Sequence, residues 1–146
     1  MISSYSDYFK NHFGAQFNLD WVRKDSDFVY NQLRHIRRKV PFDSDLNVPV
    51  LEIGSGMGRL ALLLNEAGFS DYTGLEIDSE ALKFSQNLGL ESFKFINQEI
   101  KYFAKQNSEK RFSIVFCFET LEHLELPIQD LMAIHSLTKE GGLFIG

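Results

Sequence analysis

An apolar segment of this chain runs directly into a glycine-rich turn, and this junction limits the folds that are open to it. Residues 50–60 read VLEIGSGMGRL, with glycine at every second position from 54 to 58. Glycine permits backbone angles that other residues avoid, and it lets a ligand approach the main chain. The N–H groups that open a following helix then face that ligand. We predict a strand, a ligand-binding turn and a helix in succession.

The spacing of these glycines separates the turn from the dinucleotide-binding type. The pattern is G-x-G-x-G rather than G-x-G-x-x-G, and Arg59 occupies the last position. Glu52 lies in the strand just before the glycines. A carboxylate there repels a pyrophosphate but suits a ligand that carries an ammonium group. Taken in isolation, the turn also fits a purely structural use of glycine, with no ligand.

Short apolar runs alternate with amphipathic segments after residue 48. We expect strands at 48–53, 72–77, 93–96, 112–118 and 142–145, and helices at 60–67, 79–88, 100–106 and 127–138. This alternation is typical of an α/β fold with a doubly wound, mostly parallel sheet, right-handed crossovers and helices on both faces.

Residues 1–47 differ from the rest of the chain and form a helical and aromatic lead-in to a core at 48–146. Apolar residues recur at helical spacing within 25–40, and Pro41 ends that predicted helix. Aromatic residues, among them Tyr5 and Tyr8, crowd the first part of the lead-in. They either shape a substrate pocket or pack against the sheet, and the sequence leaves both uses open.

Composition excludes several classes of function. The chain has 146 residues, a formal net charge of −5 and a pI of about 5.3, which disfavours general binding to nucleic acid or an anionic membrane. A basic cluster at 34–39 falls on the polar face of the predicted helix and is expected to be solvated. Cys117 is the one cysteine, so no intrachain disulfide forms. With no signal segment or membrane span, we expect a cytoplasmic protein.

An acidic residue also ends the second predicted strand. Glu76 lies 18 residues after Gly58, close to the distance at which a second-strand acid accepts hydrogen bonds from ribose hydroxyls. Asp78 directly precedes a predicted helix and is expected to cap it. The alternative is that Glu76 is merely solvated.

Four segments in order resemble class I S-adenosylmethionine-dependent methyltransferases. They are LEIGSGMG at 51–58, GLEID at 74–78, FINQEI at 95–100, and residues 112–124 followed by KEGGLFI at 139–145. The resemblance covers residues 48–146 and implies the Rossmann-like methyltransferase fold with S-adenosylmethionine as cofactor. A complete family sheet has seven strands, so we expect the sheet here to be cut off after the fifth strand.

The resemblance also implies which residues bind the cofactor. Glu52 and the turn would hold the methionine portion, Glu76 the ribose, and Ile77, Glu99 and Ile100 the adenine. The full predicted set is Glu52, Gly54, Ser55, Gly56, Met57, Gly58, Glu76, Ile77, Gln98, Glu99, Ile100 and Phe118. Two positions depart from the commoner pattern, since Glu99 and Ser113 stand where the family usually has aspartate.

Residues 118–124, FETLEHL, follow the fourth strand near the expected position of the transferred methyl. His123 is a candidate general base for a substrate hydroxyl or amine. Glu119, Glu122 and His123 are an alternative set of ligands for a divalent metal, although we expect no metal. A third possibility is structural, with Glu119 lining the pocket and His123 bonded to the backbone.

The predicted function is methyl transfer from S-adenosylmethionine to an oxygen, nitrogen or carbon atom of a small-molecule acceptor. One alternative is a module that binds the cofactor without catalysis, and another is a metal-dependent RNA ribose methyltransferase. The apolar fifth strand, residues 143–145, would be an exposed edge through which two copies associate.

Overall fold

The computed structural model describes residues 46–146 together with Asn31 and Arg34. Asn31 and Arg34 are helical, as predicted for 25–40. The rest of that helix, the aromatic lead-in and the basic cluster at 34–39, apart from Arg34, lie outside the described residues. The division of the chain at residue 48 therefore stays a prediction.

Five parallel strands form one sheet in the order β3-β2-β1-β4-β5. The strands are β1 Val50–Ile53, β2 Tyr72–Leu75, β3 Lys94–Ile96, β4 Phe112–Phe116 and β5 Thr138–Ile145. The helices between them are α1 Arg59–Glu66, α2 Ser79–Gln86, α3 Ile100–Gln106 and α4 Pro127–Leu137, with a 3-10 turn at Leu121–His123. The predicted doubly wound α/β fold is confirmed.

Helices cover both faces of the sheet, because side chains of each strand point alternately to opposite sides. On one face, Leu60 and Leu64 of α1 pack with Val50 and Tyr72. On the other face lie α3 and α4, whose buried residues pack with the inner side chains of β1 and β4: Ile100, Phe103, Ile134 and Leu137 against Leu51, Ile53 and Val115. Strand order reverses between β1 and β4, so the turns that leave these two strands diverge and open a crevice.

Several strand ends differ from the prediction. Strand β2 stops at Leu75 rather than at 77, because the Glu76 carboxylate accepts a hydrogen bond from the Asp78 N–H and turns the chain. Strand β5 begins at Thr138 rather than at 142, and its pairing with β4 shifts register between Phe112 and Ile114. The first residues of β5 are polar, so the pattern of apolar runs does not predict that they belong to the strand.

Helix boundaries follow the predicted signals closely. Asp78 caps α2 by accepting from the N–H groups of Glu80 and Ala81, as predicted. Pro127 occupies the first turn of α4, where the lack of an N–H has no cost. Helix α3 has the predicted bounds.

Strand β5 lies at one end of the sheet order, and Phe144 on it is 41% exposed. Association of two copies along this strand stays a prediction. Within residues 46–146, no helix has the length and apolar content that crossing a membrane requires.

Candidate functional site

The crevice at the carboxyl ends of β1 and β4 collects most of the predicted site residues. It is bordered by the glycine turn, residues 54–58, and by the β4–α4 turn, residues 117–126. In doubly wound sheets, ligands bind where the strand order reverses, at this edge. The topology therefore brings Glu52, the glycine turn and Glu76 to one place, as the sequence predicted.

The backbone of the glycine turn requires glycine. Gly54, Gly56 and Gly58 have φ angles of 73°, 52° and 83°, in the left-handed region that side chains disfavour. A Cβ on Gly54 would also collide with Oγ1 of Thr120 in the neighbouring turn. Gly58 is the N-cap of α1 and provides no side-chain hydrogen bond to the helix. The glycine turn therefore presents main-chain atoms rather than side chains to a ligand.

Glu76 joins this turn to the end of β2. One carboxylate oxygen accepts from the Gly56 N–H at 2.7 Å, and the other accepts from the Asp78 N–H at 2.8 Å. The side chain is buried, and burial raises the pKa of Glu76 above its ordinary value while these N–H groups oppose the rise. The carboxylate is therefore held at a defined position in the crevice wall.

Asn97, just after β3, stabilises the same corner. Its side-chain amide donates to the carbonyl oxygens of Glu76 and Ile77, at 2.8 and 3.0 Å. Ile77 itself is 70% exposed, so this corner presents a large apolar side chain that the other described residues leave mostly uncovered. This role of Asn97 is not among those that the sequence predicts, although an amide directly after a strand at the carboxyl edge is a usable signal.

Glu52 lies beneath the glycine turn in a buried polar cluster. Its carboxyl group accepts a hydrogen bond from the hydroxyl of Tyr72, which is fully buried. Burial is the main cause that raises the pKa of Glu52 to about 8, and the Tyr72 hydrogen bond opposes the rise. Beside them lies the buried Oγ of Ser55, which interacts with the Tyr72 hydroxyl and has no hydrogen bond of ordinary geometry among the described residues.

The remaining predicted cofactor residues follow β3 and β4. Gln98 donates to Gln106 at 2.7 Å, and Glu99 pairs with Lys101 at 2.7 Å. Ile100 is buried in the core with α3, and Phe118 packs on Phe116. All four positions lie at the carboxyl edge, and their contacts with an adenine ring stay predictions.

The β4–α4 turn carries the candidate catalytic residues. Glu119, Glu122 and His123 are exposed, and the latter two belong to the 3-10 turn. Glu119 has a φ of 48°, uncommon for a residue with a side chain. Over the part of the chain that the structure describes, no group of three acidic, histidine or cysteine side chains is placed to hold a metal ion.

The fold and the site together define a Rossmann-like domain with a ligand-binding glycine turn. Residues 26–146 match the sequence profile of the family described as Methyltransferase domain. The chain belongs to this family, which confirms the resemblance to class I S-adenosylmethionine-dependent methyltransferases.

Curated relatives and solved structures agree with this assignment. The ubiquinone biosynthesis O-methyltransferase of Serratia proteamaculans is 33% identical over 96 residues, covering 64% of this chain and 39% of that protein. A SAM-dependent methyltransferase from Archaeoglobus fulgidus superposes with a TM-score of 0.66 at 23% identity, covering 92% of this chain and 54% of that one. The glycopeptide N-methyltransferase MtfA, solved with sinefungin, gives a TM-score of 0.63 at 22% identity over 78% of this chain and 51% of that one.

At 22–23% identity, the solved structures establish the fold of this chain. The chain also spans only about two fifths of the length of the curated relatives that it matches, 39% in the Serratia protein.

Proposed function

We propose that this chain forms the cofactor-binding part of a methyltransferase that moves the methyl group of S-adenosylmethionine to a small-molecule acceptor. The observation that carries this proposal is the Glu76 carboxylate, buried at the end of β2 and hydrogen-bonded to the glycine turn. The Gly56 and Asp78 N–H groups donate to separate oxygens of this carboxylate, and the Ile77 N–H also interacts with it. A carboxylate has about four acceptor positions, so at least one remains for a ribose hydroxyl.

The other features of the crevice fit the remaining parts of the cofactor. Glu52 supplies a carboxyl group for the ammonium of the methionine portion, beneath main chain at Gly54, Ser55, Gly56, Met57 and Gly58 that a ligand can approach. The exposed Ile77 offers an apolar surface for the adenine. We assign the adenine edge to Gln98, Glu99 and Ile100, and the far side of the crevice to Phe118.

When bound, the cofactor supplies an electrophilic sulfonium methyl group. The task of the protein is then to hold the donor and the attacking atom in line and to exclude competing orientations. The glycine turn and the two carboxyl groups orient the donor. His123 is exposed on the β4–α4 turn, where it can accept the proton of an acceptor hydroxyl.

We infer that the acceptor atom is an oxygen of a small molecule. The support is the Serratia relative, an O-methyltransferase of ubiquinone biosynthesis that matches 64% of this chain. The acidic chain, with a net charge of −5, also disfavours a nucleic-acid acceptor.

The test is transfer of a labelled methyl group from S-adenosylmethionine to a panel of small phenols, together with binding of S-adenosylhomocysteine. Glu76→Ala should weaken binding by about 1.5–3 kcal/mol, the range for losing a charged hydrogen-bond partner. Glu80→Ala is the matched control, because Glu80 is an exposed glutamate on α2. Glu76→Gln, which keeps one acceptor oxygen, should fall between the two.

Unchanged binding by Glu76→Ala would remove Glu76 from the ribose role. Tight binding without methyl transfer to any acceptor would instead identify a module that holds the cofactor and does not turn it over.

A further inference from the structure

The buried polar cluster beneath the glycine turn contains a residue to which the proposed function assigns no task. Tyr72 begins β2 and is fully buried, with its ring stacked on Phe93 at 4.8 Å and tilted against Phe95 at 5.7 Å. These contacts hold the ring in one orientation. Its hydroxyl is consequently aimed at one point, the Glu52 carboxyl group.

The surrounding backbone leaves space for this hydroxyl. A Cβ on Gly74 would lie 2.8 Å from both the Tyr72 hydroxyl and Oγ of Ser55. Such a contact is too close for real atoms, so glycine at this point of β2 is what lets the three polar groups meet. Ser55 belongs to the glycine turn, and the cluster therefore extends from the sheet interior to the ligand-facing main chain.

This arrangement is costly if its only use is packing. Burying a hydroxyl and a carboxyl group away from water is unfavourable unless both are well paired. Among the described residues, Oγ of Ser55 has no hydrogen bond of ordinary geometry, although the Tyr72 hydroxyl interacts with it, and Tyr72 bonds to only one of the two Glu52 oxygens. A phenylalanine at position 72 would fill the same space against Phe93 and Phe95 without burying a polar group. Buried polar atoms with incomplete hydrogen bonding beneath a ligand-binding turn point to a ligand group that bonds to them.

Resting on the proposed function, we propose that Tyr72 is a positioning residue that orients the Glu52 carboxyl group toward the ammonium of the cofactor, and that binding releases the proton of this pair to solvent. Glu52 is the group that changes charge. Tyr72 donates its hydrogen bond to the ionised form and thereby stabilises the state that binds.

The electrostatics around Glu52 support this coupling. Within the described residues, the titratable groups that face it are Tyr72 on β2, Glu76 directly after β2 and Cys117 after β4. The buried face of α1 is apolar, and Arg59 at its start is partly exposed. With a pKa of about 8, Glu52 is protonated in the free chain at neutral pH. A ligand ammonium favours the carboxylate, so affinity should rise with pH up to about 8 and level off above it.

The experiment is a calorimetric titration with S-adenosylhomocysteine between about pH 6 and pH 9, in buffers of different ionisation enthalpy that count released protons. Tyr72→Phe removes the hydroxyl and leaves the ring packing in place. Near neutral pH we expect it to weaken binding about tenfold. The ratio of the two dissociation constants should decline only above the higher pKa of Glu52 in the variant, which has lost the hydrogen bond that lowers it. Taking this ratio cancels the titration of the ligand's own amine.

A second ligand separates this inference from the proposed function. Methylthioadenosine has the nucleoside but no ammonium, so its affinity should be the same for Tyr72→Phe and the unchanged chain. Failure of both ligands to bind would overturn the proposed function. Binding of both, with equal losses or no loss in Tyr72→Phe, would overturn the positioning role alone.

Two controls distinguish positioning from packing. Phe95→Leu disturbs the ring contact but keeps the hydroxyl, so it should lower stability without changing the pH profile. Tyr102→Phe removes an exposed hydroxyl and should change neither. Infrared spectroscopy detects protonation of Glu52 without relying on binding heats. The C=O band of a protonated carboxyl group should be present in the free chain and absent in Glu52→Gln. The band should be lost when S-adenosylhomocysteine is added. Its persistence in the complex would contradict proton release.

Discussion

Glu52 shows how one side chain combines a structural cost with a binding role. The carboxyl group is buried on β1 beside the Tyr72 hydroxyl of β2, and burial disfavours its charged form. In the unfolded chain the same group is in water and ionises at its ordinary pKa. The free energy of unfolding therefore falls with rising pH over the range in which the unfolded chain has released this proton and the folded chain retains it.

The sign of this effect can be stated from the two pKa values. The folded value of about 8 lies above the ordinary value of 4.5, so the stability contributed by protonated Glu52 declines as pH rises across that interval. Between about pH 5 and pH 8 the loss should be on the order of 3 kcal/mol. Glu52→Gln cannot ionise and should not show it.

Urea unfolding of both proteins at the two pH values measures this difference directly. Carboxyl groups that do not interact with Glu52 contribute equally in both proteins and cancel when the two are subtracted. If the free energies of unfolding of the two proteins run parallel with pH, Glu52 does not carry a raised pKa in the folded state.

At the scale of elements, the crevice depends on close contact between the glycine turn and the β4–α4 turn. Thr120 in the β4–α4 turn occupies the space that a side chain on Gly54 would need, and its hydroxyl donates to the Phe118 carbonyl. The adjacent Glu119 adopts a left-handed backbone conformation. The turn with the candidate catalytic residues is thus positioned by the turn proposed to bind the cofactor.

Substitutions of glycine can separate backbone strain from this contact. Gly54 and Gly89 have nearly equal φ angles, 73° and 74°, but a Cβ on Gly89 would have no atom of the described residues within 4 Å. Gly89→Ala should therefore cost about 1 kcal/mol, from backbone strain alone. Gly54→Ala should cost about 2–4 kcal/mol, because the Thr120 side chain must move as well.

The double variant Gly54→Ala with Thr120→Ala should recover the difference between these two costs, as measured by chemical unfolding. Equal costs for Gly54→Ala and Gly89→Ala would show that the two turns do not press on each other.

At the scale of the whole molecule, the sequence was sufficient for the order of strands and helices. Apolar runs, glycine after helices and Asp78 as a cap are local signals, and they predicted the fold and most boundaries to within a few residues. The polar start of β5 was missed because its pairing with β4 is a tertiary contact. The resemblance supplied the site residues at the carboxyl edge.

The unpredicted part of the site consists of contacts between residues distant in the chain. Tyr72 reads as an ordinary strand residue, and its bond to Glu52 depends on the parallel pairing of β1 with β2. Thr120 against Gly54 depends on β4 lying beside β1. No local pattern encodes such pairs, because they arise only when the sheet order is set.

Calorimetric titration of the 146-residue chain with S-adenosylhomocysteine tests the central claim most directly. We predict saturable one-to-one binding, weakened in Glu76→Ala and retained in Glu80→Ala. A chain that is folded by circular dichroism but gives no binding heat, and no thermal stabilisation by the same ligand, would contradict the assignment of this crevice to the cofactor.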